Sequence, residues 1–330
     1  MNGTHDADGV FQGGGVKGIA LVGALIGFAE QGWTNWVNVA GTSAGSIIAA
    51  YLACGHDADD LEKLLRETPY PKFEDFGAGG KLIGGTLNLV RHHGLAHGEY
   101  FHSWFLEQTE GKTFGDVKAA GRTLKLIAAD VTNRDLLVLP DDLAAYRQPG
   151  GSEPIDPDSF RISDAARMSM SIPFFFQPVE LVRIETGKPA TIVDGGMLSN
   201  FPVWLFDVDD RDPKRPTFGF RLVGGKGVGG GIQAIVDGLG WPVQLGSNMF
   251  HTAMEAWDKR FMSHSTYVRT CPVSAGEIGT TDFNLTPEQQ DWLIESGKKA
   301  AADFLAHFSL DQYFNTFGRR LTPETAGAHV

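Results

Sequence analysis

The sequence predicts an α/β fold, a mostly parallel sheet covered by helices on both faces. Three observations point there. Short apolar strands alternate with helices through the first 54 residues, two of those helices are apolar almost all round, and glycine-rich turns join them. With 330 residues, 42% of them hydrophobic and 21% charged, the chain can bury a core of that size. Asp8 to Gln12 reads as a buried strand entering Gly13-Gly14-Gly15-Val16-Lys17-Gly18. Ile19 to Gln31 then reads as a buried helix, stopped by Gly32 as a C-terminal cap. Trp36 to Ala40 is a second strand, followed by Gly41-Thr42-Ser43-Ala44-Gly45 and the apolar helix Ser46 to Cys54. Asp57 to Arg66 has the spacing of an amphipathic helix.

Pro69 to Gly98 interrupts the alternation with a long irregular, glycine-rich excursion. Helical signals resume over Glu99 to Glu107, and Thr123 to Ala129 and Leu136 to Leu139 read as strands. Ser163 is expected to cap a short helix through Met170. Ala190 to Val193 is a strand ending in Asp194-Gly195-Gly196, and Phe218 to Val223 is another. Gly224 to Gly231 reads as a flexible linker before a helical stretch from Ile232 to about Phe261. Thr286-Pro287-Glu288-Gln289 combines a Thr cap, Pro at the first helical position and Gln at the third, so a helix is expected to start there and run to about Phe308. No repeat or clear boundary divides the chain, which favours one domain over 1–330.

Forty acidic against 28 basic residues give a formal charge of −12. That argues against nucleic acid as a partner and against recruitment to anionic lipid by charge alone. Two cysteines cannot build a disulfide framework, and the polar N-terminus does not read as a leader, so a cytoplasmic protein is expected. The longest apolar run, Gly18 to Ala29, is too short to span a bilayer. No calcium loop or zinc-ligand spacing is visible, so no metal or other cofactor is expected. Glycine stands out, with 42 residues against a usual ~7% of a chain.

Chemistry concentrates in three of the glycine turns. The first, Gly13 to Gly18, has the G-x-G-x-x-G spacing, but the second strand ends without the carboxylate that a dinucleotide's ribose needs. A P-loop fails because Lys17-Gly18-Ile19 lacks the Lys-Ser/Thr pair that such a loop requires. What remains is a turn at a helix N-terminus whose backbone N–H groups converge on an anion or a developing oxyanion, or a turn that needs glycine only for space. The second, Gly41-x-Ser43-x-Gly45, has the form of a nucleophile elbow that thrusts a serine hydroxyl out at a helix N-terminus.

A serine nucleophile needs a base. None of His56, His92, His93, His97, His102, His251, His264, His307 and His329 stands at a strand end followed by a small-residue turn. Asp194 does: it closes an apolar strand and enters Gly195-Gly196, which places its carboxylate at the carboxyl edge of the sheet.

Taken together, Gly13 to Gly18, Gly41 to Gly45 and Asp194 to Gly196 resemble the patatin-like phospholipase family, with support from Gly94 to Trp104, Ser169 to Val179 and Asn200-Phe201-Pro202. The likeness covers about 8–202, with 203–330 completing the domain. It implies a three-layer α/β/α sandwich, Ser43 as nucleophile, Asp194 as its base, and an oxyanion hole in the Gly13, Gly14, Gly15, Val16 stretch. Lys17, Gly18, Gly41, Gly45, Gly195 and Gly196 then complete the motifs. Two departures are small: Asp-Gly-Gly stands for the commoner Asp-Gly-Ala, and Lys17 occupies a place where arginine also occurs.

The expected activity is hydrolysis of a phospholipid or other acyl-ester lipid through an acyl-enzyme, with transient membrane contact. Two other readings stay open: an acyltransferase using the same acyl-enzyme, and a non-catalytic anion- or lipid-binding module. Thr42 counts against the first, because the related acyl-carrier transacylases carry Gly-His-Ser-x-Gly. Lys17 serves either a lipid head group or a surface ion pair. Ile172 to Phe176 either lines an acyl channel or packs in the core, and Gly238 to Phe250 either faces a bilayer or covers the pocket. The glycine surplus then divides into a catalytic set and two gating segments, Gly77 to Gly85 and Gly224 to Gly231.

Overall fold

Strand β1 (His5–Phe11) runs through a 3-10 turn, Gly15–Lys17, into helix α1 (Gly18–Glu30), and the chain returns as β2 (Trp33–Thr42) parallel to β1. This computed structural model describes residues 4–68, 72, 94–208, 211–224, 241, 244–246, 248–250, 252–254, 264–280, 282 and 284–318. The gating segment 77–85, and all of 224–231 but Gly224, lie outside the described residues.

After β2 come α2 (Ala44–Ala53), α3 (Ala58–Glu67), β3 (Gly94–Ala96), β4 (Thr123–Asp130) and β5 (Asp135–Leu139). They are followed by β6 (Tyr146–Arg147), β7 (Phe174–Phe176), β8 (Val179–Arg183), β9 (Pro189–Asp194), β10 (Thr217–Val223) and β11 (Thr270–Ser274). Nine of these strands form one sheet in the order β11-β10-β1-β2-β4-β9-β8-β6, with β5 also on β4. The central run from β11 to β4 is parallel throughout, as the alternation predicts. Beyond β4 the chain adds an antiparallel wing of β5, β9, β8 and β6, which strand–helix alternation does not announce.

One junction in this sheet matters for everything below. Leu126 to Asp130 of β4 are paired along one edge by β5. The other edge is shared: β2 occupies it up to Thr42 opposite Ile127, and β9, running the opposite way, occupies it from Asp194 opposite Ala128. The carboxyl ends of β2 and β9 therefore abut, at adjacent rungs of the same ladder.

Both faces of the parallel core are covered. Phe11 and Val39 point into the main core, whereas their neighbours Val10 and Ala40 meet Phe201 and Val203 on the other side. On the main side, Phe28 of α1 lies 5.0 Å from Phe218 and 4.9 Å from Phe220, both edge-on, and Phe11 stacks on Phe220 at 5.0 Å. Contacts of this kind stabilise by about 0.5–1.5 kcal/mol each beyond the area they bury.

Every residue of α1 from Gly18 to Phe28 is buried. Its inner side faces the sheet; its outer side carries the helix Pro287–Leu305, which crosses it at backbone contact. A methyl group at Gly23 would overlap the Ile294 carbonyl, and one at Gly297 would overlap the Ala20 carbonyl. The glycine surplus thus has a third use, helix crossing, that composition does not separate from the other two.

Local signals hold well. Gly32 takes a left-handed conformation behind α1. Thr286 and Gln289 form the expected reciprocal cap, Gln289 N–H to Thr286 Oγ1 at 3.3 Å and Thr286 N–H to Gln289 Oε1 at 2.9 Å. Asp57 and Asp60 cap α3 in the same way. One expectation is corrected: Ser163 is not a cap. The helix Ile162–Ser169 begins before it, because the Ile162 N–H is satisfied by the Lys112 carbonyl at 3.0 Å. Ser163 lies inside that helix, fully buried.

Candidate active site

The elbow is built by exclusion of side chains. A methyl at Gly41 would overlap the Gly45 carbonyl, and one at Gly45 would overlap the Phe11 carbonyl. Only with both positions bare can the chain turn from β2 into α2 against the end of β1. Ser43 sits at the apex with φ 54° and ψ −127°, a left-handed conformation that costs a non-glycine residue about 1–3 kcal/mol. Surrounding bonds hold it there: its carbonyl accepts the Ser46 N–H at 2.8 Å and the Ser46 hydroxyl at 2.6 Å. Its own N–H donates to Ser169 Oγ at 3.0 Å, and Ser169 Oγ donates in turn to the Ile127 carbonyl at 2.7 Å. The hydroxyl therefore stands at the N-terminal end of α2, where the helix dipole favours negative charge.

Asp194 meets it through the abutting strands. The residue is 1% exposed and Ser43 2%. Asp194 Oδ1 accepts the Gly196 N–H at 2.7 Å, which is the work of the Gly195-Gly196 turn. Asp194 Oδ2 is buried without a hydrogen-bond partner. Burial pushes the carboxyl up to about 7, against the opposing pull of the Ser43 hydroxyl and the Gly196 N–H. In this arrangement the directed contact of Ser43 Oγ is with Met170 Sδ at 3.9 Å, so the hydroxyl lies beside the carboxylate without yet bonding to Oδ2.

Of the described histidines, His56 stacks on Tyr51, His97 Nδ1 meets Gln177 Nε2 at 2.7 Å, and His102 pairs with Asp164 at 2.6 Å. None bonds to Ser43 or Asp194; His92, His93, His251 and His329 lie outside the described residues. Burial raises the thiols of Cys54 to about 11 and Cys271 to about 12, which keeps both protonated and unreactive at neutral pH.

The glycine loop closes the site from β1. Gly13 packs against Ser43 and Asn200, and Asn200 ties the loop to the aspartate turn: the Gly13 N–H donates to the Asn200 carbonyl at 3.1 Å, and Asn200 Nδ2 donates to the Gly13 carbonyl at 3.3 Å. The Val16 N–H donates to the Thr280 carbonyl at 3.1 Å. Of the four positions expected to form an oxyanion hole, Gly13 and Val16 thus have their amides committed elsewhere. Among the described residues, the amides of Gly14 and Gly15 have no partner.

Beside Ser43, against Ala44 and Met170, lies a narrow apolar cleft with about 40 Å³ of open space. Its walls come from the glycine loop, α2 and the segment after the helix Ile162–Ser169, among them Val16, Ile47, Met170, Ile172 and Phe176. Ile172, Phe175 and Phe176 all pack in the main core, and Ile172 and Phe176 also line the cleft. A larger groove at the β11 edge, lined by Trp292, Lys299 and His307, shares no residue with this cleft.

Several site residues carry no sequence signal for their role. Ser169 holds the Ser43 amide, Met170 faces its hydroxyl, and the Ser171 carbonyl accepts the Asp194 N–H at 2.9 Å. Thr42 Oγ1 donates to the Ser199 carbonyl at 2.9 Å, joining elbow to aspartate turn. Among the described residues, no group of three or more His, Cys, Asp or Glu side chains could hold a metal ion, and no helix is long and apolar enough to cross a membrane.

A family model described as patatin-like phospholipase matches residues 9–207. The chain is 36% identical over 307 residues to the uncharacterized protein YqhO of Bacillus subtilis, covering 92% of this chain and 99% of that one. It is 24% identical over 311 residues to the uncharacterized protein R571 of Acanthamoeba polyphaga mimivirus. Among solved structures it is similar to VipD from Legionella pneumophila, with a TM-score of 0.54 at 16% identity over 91% of this chain and 66% of that one. It is also similar to ExoU in the ExoU–SpcU complex of the Pseudomonas aeruginosa type III secretion system, with a TM-score of 0.52 at 16% identity over 94% of this chain. The chain spans about two thirds of the VipD chain and 52% of the ExoU–SpcU match, so these structures bear on fold.

Proposed function

The chain belongs to the patatin-like phospholipase family, and on that premise we propose that it is a serine lipid acyl hydrolase working through a Ser43–Asp194 dyad. Family membership supports a lipid hydrolase; the dyad rests on one observation. Ser43, at a left-handed apex one residue past the Thr42–Ile127 rung, and Asp194, on the next rung opposite Ala128 with a buried and unpartnered Oδ2, are brought together by two strands that abut on β4.

In this reading Ser43 Oγ turns from Met170 toward Asp194 Oδ2, gives up its proton there, and attacks the ester carbonyl. Negative charge developing on the carbonyl oxygen meets the amides of Gly14 and Gly15 at the start of α1. In a water-poor site, loss of one such donor raises the barrier by about 3–4 kcal/mol. The proton on Asp194 passes to the departing alcohol, leaving Ser43 acylated. Water then attacks the acyl-enzyme, Asp194 takes its proton, and Ser43 recovers one as the fatty acid leaves. The apolar walls of the narrow cleft match an acyl chain in chemical character, and burial gives the aspartate a pKa near neutrality, which a general base requires.

A panel of acyl esters and phospholipids, run on the wild type and on Ser43→Ala, tests this. Wild-type protein is expected to release fatty acid, and Ser43→Ala to lose at least about 10⁴-fold in rate. Equal turnover by both proteins would remove Ser43 from the mechanism. Recovery of the acyl group on an added alcohol rather than as free acid would assign the chain to acyl transfer, and no reaction with any acyl ester would leave it a binding module.

A further inference from the structure

We propose that Trp241, Leu245 and Met249 form a docking stripe that seats the protein on an electrically neutral phospholipid surface. The described residues of 241–254 are helical, and these three recur at intervals of four, the spacing that gathers side chains on one face of a helix. All three are exposed, Trp241 and Met249 by 70% and 63%. Large apolar side chains gathered on one exposed face of a soluble protein mark an interaction surface, and a tryptophan suits the boundary between head groups and acyl chains.

The other face of the same stretch leads to the active site. Gly246 lies against the Phe174 ring, Phe250 is buried in the main core, and Met254 packs beside Gly196, next to Asp194. Positions 246, 250 and 254 are also four apart, so the inward-packed residues and the exposed ones form two separate sets. One face thus touches the catalytic turn while the other looks outward, so a surface bound to the stripe lies over the site.

Charge selects the kind of surface. No lysine or arginine occurs between Lys226 and Lys259, and the chain carries a net −12. Anionic lipid is therefore disfavoured, and attachment to zwitterionic lipid by apolar insertion alone is the mode left. The proposal rests on the lipid hydrolase reading, since that is what makes proximity of a lipid surface to Ser43 useful.

The test uses the full chain carrying Ser43→Ala, so that vesicles stay intact, and phosphatidylcholine vesicles in a flotation assay. Binding is expected, unchanged between low and high salt, and weakened about tenfold or more when Trp241, Leu245 and Met249 are all replaced by Gln. Trp241→Gln alone, at the most exposed position, guards against misfolding of the triple variant and is expected to weaken binding at least about threefold. On the Ser43 background, the triple variant is expected to lose vesicle hydrolysis while keeping its rate on a short-chain water-soluble ester within about twofold, because the stripe does not line the cleft. Absence of binding overturns the proposal, as does binding that the substitutions leave intact or that needs anionic lipid. A dimer that the triple variant dissociates, with no lipid binding, assigns the stripe to a second copy instead and also overturns it. Vesicle binding of the expected kind without hydrolysis of any acyl ester leaves the docking stripe standing and removes the hydrolase reading.

Discussion

Two glycine-lined regions of this molecule use the same residue to opposite ends. Where α1 crosses the helix Pro287–Leu305, Gly23 and Gly297 let two backbones touch, and the helices around them keep their own hydrogen bonds. In the loop before α1, Gly14 and Gly15 stand among neighbours whose amides are committed, yet their own have no partner among the described residues. Glycine at the crossing brings satisfied groups together, while glycine in the loop leaves two donors open, which the proposed mechanism directs at the oxyanion. What separates a structural glycine from a functional one here is the fate of the amide, not the residue or its packing.

That contrast can be broken at several points. The largest effect is expected from Asp194→Asn, which leaves the loop amides in place but removes the base: hydrolysis should fall by about 10³–10⁴-fold in steady-state assays. Gly14→Ala should come next. Its methyl would strike Leu222 Cδ1, displacing an open amide, and a loss of about 10²–10³ in kcat is expected with little change in the unfolding curve. Gly297→Ala should do the reverse. Overlap with the Ala20 carbonyl is expected to destabilise the fold by about 3 kcal/mol in urea titration while kcat, measured where the variant is folded, stays within about twofold. If Gly297→Ala lowered kcat as much as Gly14→Ala, the distinction between the two regions would fail.

A dependence on pH sharpens the picture. Asp194 is held near pKa 7 in the native state against about 3.8 in the unfolded chain. Between those values the native form keeps a proton that the unfolded form releases, so this group's contribution to stability is full below about pH 4 and declines up to about pH 7. Asp194→Asn removes that decline. The variant should therefore be more stable than wild type at pH 8, by on the order of 4 kcal/mol at most, and equal to it at pH 4. Urea titrations at the two pH values compare them.

Much of this was legible in the sequence because the signals are local. Gly32 stops α1, Asp57 and Thr286 start their helices, and the elbow and Asp194 turn are written in consecutive residues. Of the antiparallel wing, β5 and β9 were legible as strands but β6 and β8 were not, since β6 has two residues and β8 is mostly half-buried, leaving neither length nor clean alternation to read. The meeting of Ser43 and Asp194 depends on β9 approaching β4 from the opposite direction, a property of pairing that no residue in β9 announces. Ser169 shows the same limit: it opens a stretch that supports the family likeness, but its role is given only by bonds to Ser43 and Ile127, 126 and 42 residues away. Ser163 errs the other way, because a serine before a helical run looks like a cap until the Lys112 carbonyl takes that place.

The central claim is that Ser43 is acylated with Asp194, and no histidine, as its base. A fluorophosphonate reaction followed by intact mass and peptide mapping, over a range of pH, tests it most directly. The account predicts a single adduct on Ser43, a labelling rate that falls about tenfold per unit below a pKa near 7, and labelling at least about 10³-fold slower in Asp194→Asn. An adduct on another residue, or labelling of Asp194→Asn at the wild-type rate, would contradict it.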